Sequence, residues 1–232
     1  MITTTNKAIK YFIKSIITLL ASKRALSAIL KSMLHPNFAI LGALLNGVGG
    51  TLYLIETIKG RVKPNRMSFL LWAIVPMIAF AAQRSQGVGI ESIMTFSAGF
   101  IPFIIFLASF VNKKAEWQLT AFDLWCGFFS VVGITLWLTT KVGNMAIFFS
   151  IVADGLAALP TVVKAYQAPE TENAWLWLTG VLGVIVTLLT LDRPTFANSA
   201  FIIYILVVNA LIFSLVYFEL GKKLSGVVDK QV

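Results

Sequence analysis

Asp154 lies near the middle of an apolar stretch covering 144–165, with no Lys or Arg at a similar depth. A carboxylate in hydrocarbon is expensive, so it must face a bundle interior or water. Such a group can bind and release a proton or a cation; the competing role is an acid hydrogen-bonded to neighbouring helices. Asn46 and Asn209 sit near the midpoints of two further apolar stretches, 37–58 and 195–219. Neutral amides at that depth can hold a polar solute, or join helices at about 0.6 kcal/mol per contact. Around Asn46 the glycines Gly42, Gly47, Gly49 and Gly50 mark a close-packing face, which favours the joining role there. Ser97, beside Thr95 on the stretch 90–111, offers a weaker hydroxyl of the same kind. Trp72 and Trp177 carry flat apolar faces able to stack on a ring, although Trp is also common at membrane interfaces. Pro76, Pro102 and Pro160 fall inside apolar stretches of helical length. Each removes a backbone hydrogen bond and permits a kink, either static or a hinge.

Other chemistries lack their residues. One cysteine, Cys126, and one histidine, His35, cannot assemble a multi-thiolate or zinc site. No metal or cofactor is expected. No His pair at helical spacing, Ser–His–acid set or paired catalytic carboxylates appear, and Glu56, Glu91, Asp123 and Glu219 sit near the ends of apolar stretches, where they read as interfacial caps. The chain is therefore not expected to be an enzyme.

The elements that must position these residues are membrane helices. Of 232 residues, 58% are hydrophobic and 12% charged, against about 45–50% and 25% in soluble domains. Apolar stretches near 37–58, 67–83, 90–111, 117–140, 144–165, 174–191 and 195–219 approach the roughly 20 residues a helix needs to span a bilayer. Brief polar gaps force neighbouring helices to run antiparallel. The nineteen Lys and Arg, giving a net charge of +9, concentrate in the gaps and in the N-terminal segment. Orientation and anionic lipid heads explain them, so membrane lipids are expected partners and nucleic acid is not. Residues 1–36 carry Lys7, Lys10, Lys14, Lys23, Arg24 and Lys31 and no acid. They read as a basic amphipathic helix lying in the interface, with a processed targeting segment as the competing reading. A full crossing would bury Lys23 and Arg24 at about 3 kcal/mol each near the bilayer centre.

An internal repeat organises the helices. Lys59, Pro64 and Trp72 recur as Lys164, Pro169 and Trp177, each pair 105 positions apart, and Ser68 and Asn173 share the offset as expected N-caps. The offset spans more than three helices and leaves 117–140 unpaired. Matching helices are four places apart and so point the same way. The expected all-α fold is about seven transmembrane helices: a first three-helix bundle at 37–111, a linker helix at 115–141, a second bundle at 144–221 and a tail at 222–232.

This three-plus-one-plus-three arrangement of parallel repeats resembles the PQ-loop and SWEET transporter superfamily over about 37–221. Leu159-Pro160-Thr161-Val-Val-Lys164 looks like the family's signature at the end of the fifth helix. Thr161 departs from it, standing where the family prefers Gln, and the matching first-half position, Ile55, has no Pro. The resemblance implies transport of a small solute, of sugar or amino-acid size, by alternating access between the two bundles. It also implies proton coupling through an intramembrane aspartate, here Asp154, and a substrate-binding Asn on the seventh helix, here Asn209. The family's third-helix Asn has no counterpart, because the equivalent position is Ile104. Asn173-Ala-Trp175-Leu-Trp177 is similar to the tryptophan-rich helix of the nicotinamide riboside transporters, without their fuller motif. A membrane receptor or sorting protein that binds without transporting is the other alternative.

Basic residues are denser on the side holding 59–66 and the C-terminus, which places the C-terminus in the cytoplasm of a bacterial inner membrane. The six N-terminal cations oppose this count. The oligomeric state is open, a homo-oligomer included.

Overall fold

The structure is a computed structural model that describes residues 35–111, 117–140 and 143–223. The expected N-terminal amphipathic helix, and all of the expected tail beyond residue 223, lie outside the described residues. The described residues form no strand and include these α-helices, with a further helical stretch from Leu220: α1 Phe38–Ile58, α2 Arg66–Ser85, α3 Ile93–Ala108, α4 Ala121–Thr140, α5 Gly143–Gln167, α6 Ala174–Leu189 and α7 Phe196–Tyr217. Single 3₁₀ turns, Ile90–Ser92 and Pro169–Thr171, precede α3 and α6. Among the described residues, five elements are long and apolar enough to cross a membrane: α1, α2, α3 with its 3₁₀ turn, α5 and α7; α6 is apolar but shorter.

Large apolar side chains point outward, including Leu44, Val48, Leu107 and Val207, each more than half exposed. The interior holds Asn46, Ser68, Gln83, Thr95, Asp154, Thr161 and Lys164. Large apolar side chains facing outward, with polar ones gathered inside an otherwise apolar core, is the arrangement a bilayer stabilises and water penalises.

The turns follow from local chemistry. After α1, Gly60 takes φ 72°, and the Arg61 and Gly60 N–H groups return to the Glu56 and Thr57 carbonyls at 3.0 and 2.9 Å. This is a Schellman stop, which needs a residue without a Cβ at the left-handed position. Pro64 follows, and α2 then begins on Asn65, whose side chain accepts from the Met67 and Ser68 N–H groups. The expected cap at Ser68 is thus corrected. Asn65 adopts extended backbone after Pro64 and reaches both N–H groups, which leaves Ser68 fully buried inside the first turn. Asn173 does cap α6, accepting from Trp175 N–H at 2.9 Å.

Packing is pairwise and regular. α3 packs on both α1 and α2, and α7 packs on both α5 and α6; α1 lies along α6, α2 along α5, and α4 mainly against α5. The α1–α6 approach runs through glycines. A Cβ on Gly42 would stand 2.5 Å from the Gly183 carbonyl oxygen, and one on Gly49 would stand 2.9 Å from the Leu176 Cα. Gly42 opposing Gly183 while Gly49 opposes Leu176 shows that the two helices run antiparallel. Gly50 serves α3 instead, against Ile101, and Gly47 has nothing within 4 Å. The expected glycine face thus divides among α6, α3 and open surface.

Candidate functional site

A cavity of about 70 Å3 lies where α1, α2, α3, α5, α6 and α7 meet. Six of its lining residues come from α1–α3 and six from α5–α7. Asn46, Trp72, Pro76, Pro102, Asp154 and Asn209 all line it. These residues are scattered over 164 positions of sequence, and the fold brings them to one point. The volume suits a few water molecules.

Asp154 sits on the buried face of α5, one turn from Ser150. It is 5% exposed and its Oδ2 accepts a 2.7 Å hydrogen bond from the Tyr204 hydroxyl of α7. Oδ1 is buried with no hydrogen bond of ordinary length. No Lys or Arg forms an ion pair with this carboxylate among the described residues. A buried acid that accepts from the Tyr204 phenol, has the Trp72 indole beside it and borders a cavity is poised to take a proton or a cation.

Asn209 rests against Gly180, where a Cβ would come within 2.7 Å of its amide nitrogen. Its side chain makes no hydrogen bond among the described residues, so its amide is available to a solute. Asn46 is committed. Its Nδ2 donates to Ser97 Oγ at 3.0 Å, tying α1 to α3. Ser97 does not line the cavity; its hydroxyl also donates to the Ala43 carbonyl at 3.4 Å. Trp177 does not line it either. It stands behind Trp72, edge to face, with ring centroids 5.7 Å apart. Pro160 lies in α5 outside the cavity lining.

Family models, curated proteins and solved structures give no match.

The site therefore stands on its own geometry. Tyr204 is a cavity residue that sequence reasoning passed over; the available signal was a phenol five positions before Asn209, in the apolar middle of the helix. A second buried polar group, Lys164 with Glu172, was also missed as such, because both fall at the edge of the polar gap between α5 and α6. Among the described residues no three His, Cys, Asp or Glu side chains gather as metal ligands.

Proposed function

We propose that the chain is a membrane transporter of a small polar solute, with α1–α3 and α5–α7 acting as two like-facing three-helix bundles joined by α4, in a bacterial inner membrane with the C-terminus cytoplasmic. The observation that carries this reading is the cavity itself. It is shared evenly by the two sets of helices and combines one buried acid, two amides, an indole and two helix-interior prolines. The packing order supports it: the third helix of each set bridges the first two, and the sets meet through α1 with α6 and α2 with α5. That is the pattern expected of a duplicated bundle rocking about a midplane site.

Each feature has a transport role. Asn209 and Trp72 offer a hydrogen bond and a flat face to a solute of sugar or amino-acid size. Asp154 exchanges a proton and couples the gradient to the movement of that solute. A cavity of about 70 Å3 admits water and not a sugar, so the two sets must part for loading. Pro76 and Pro102, at the cavity wall, interrupt helix hydrogen bonding where such bending would occur.

A substrate panel offered to proteoliposomes, with and without an imposed proton gradient, tests the proposal. Accumulation of at least one solute that rises with the gradient is expected. Saturable binding with no accumulation under any gradient would favour a receptor built on the same architecture.

A further inference from the structure

A second polar layer lies buried beyond the cavity, at the end where α1 hands over to α2 and α5 to α6. Lys164 and Glu172 form an ion pair with neither side chain exposed. Each member also reaches the first set of helices. Lys164 Nζ donates to the Lys63 carbonyl, and the Tyr53 hydroxyl donates to Glu172 Oε2 at 3.0 Å. A backbone bond joins the same two connections, from Lys63 N–H to the Thr171 carbonyl at 3.0 Å. The Trp117 ring covers the ammonium, its centroid 5.3 Å from Nζ. Between this layer and the cavity runs an aromatic chain, Tyr53–Phe69–Trp72–Trp177, with successive centroids 5.3, 5.3 and 5.7 Å apart. All four rings are buried.

A buried ion pair is a poor source of net stability, because desolvation offsets its attraction, and breaking one leaves a costly uncompensated charge. The arrangement here avoids that cost. Lys164 and Glu172 both belong to the α5–α6 side, so they stay paired if the two sets of helices separate. Among the described residues, three hydrogen bonds cross between the sets at this end and are lost. One is a backbone bond and two involve the charged Lys164 and Glu172 groups, and water replaces each when the end opens. The connections involved, 59–65 and 168–173, contain the two prolines of the repeat.

We infer that Lys164, Glu172 and Tyr53 form a releasable latch that holds this end of the central cavity shut. The inference rests on reading the cavity as a transport route.

The test is access of a charged, membrane-impermeant thiosulfonate to a reporter in the cavity, Val208→Cys in a Cys126→Ser background, in sealed vesicles of either orientation. Tyr53→Phe keeps the ring and deletes one crossing bond; Glu172→Gln weakens the rest. Losing one such bond should speed modification about fivefold or more from the Lys63 side only. Rates within about twofold of the parent in a folded Tyr53→Phe protein, or equal acceleration from both sides, would overturn the latch. Labelling needs no substrate, so the two readings fail separately. Accelerated labelling without uptake by the parent leaves the latch and removes the carrier; uptake with unchanged labelling does the reverse.

Discussion

Trp72 and Trp177 stand 105 positions apart in sequence and meet edge to face in the core, ring centroids 5.7 Å apart at 70°. Only Trp72 reaches the cavity, and the Trp177 indole nitrogen is buried with no partner. An edge-to-face pair contributes about 0.5–1.5 kcal/mol beyond its area. Trp177→Phe, which removes an unpaired N–H, should therefore cost less stability than Trp72→Phe. The double variant should fall short of additivity. Thermal unfolding in detergent measures both, and a fully additive pair would mean that the contact carries no energy.

The start of α2 gives a sharper contrast. Asn65 caps two N–H groups and also donates to the Asp123 Oδ1 of α4 at 3.0 Å. Asn65→Ala should destabilise by about 1–2 kcal/mol. Ser68→Ala should be close to neutral, because the Ser68 hydroxyl is buried without a partner. Equal losses in the two variants would return the cap to Ser68.

Gly42 and Gly47 share a helix and differ in surroundings. A Cβ at Gly42 meets a backbone carbonyl that cannot rotate away, whereas a Cβ at Gly47 meets nothing within 4 Å. Gly42→Ala should force α1 from α6 and lower stability. Gly47→Ala should stabilise by about 0.5–1 kcal/mol through helix propensity alone. Thermal midpoints of the two purified variants give the comparison; a Gly42→Ala protein as stable as the parent would mean that the helices do not approach so closely.

Near the C-terminus, Lys222 Nζ lies 2.9 Å from a Glu170 carboxylate oxygen. That hydrogen bond holds the Glu170 carboxyl below its ordinary value. The sign follows from linkage: the contribution is present at neutral pH and is lost as pH falls through the lowered value. Both side chains are about half exposed, and pairs of this kind are worth little. Glu170→Gln should leave the unfolding midpoint unchanged at pH 7, and a clear drop there would show a stronger link to this end of α5.

The helix positions were legible in the chain because continuous apolar stretches and short polar gaps report depth. Depth placed Asp154, Asn46 and Asn209 near the midplane, where the structure has them lining one cavity. Rotation about each helix axis was less legible. Ser97 and Asn46 looked alike in depth, yet Ser97 turns away from the cavity to hold Asn46. Tyr204 looked like one more aromatic in an apolar helix until α7 set it against Asp154. Lys164 and Glu172 lie at the two edges of the gap between apolar stretches, where nothing in the sequence marks them as partners; folding the two connections together pairs and buries them. The repeat in Lys, Pro and Trp was visible, but the caps do not follow it, since Asn65 starts α2 three residues before the offset requires.

The buried carboxyl of Asp154, beside a cavity shared by two sets of helices, is the centre of the account. The most direct measurement follows substrate uptake and internal pH together in proteoliposomes carrying the parent or Asp154→Asn. The parent should take up solute and protons together, and Asp154→Asn, folded and still able to bind, should lose gradient-driven accumulation and proton entry alike. Undiminished accumulation by Asp154→Asn, with the same dependence on the proton gradient, would contradict the coupling role and the cavity assignment built on it.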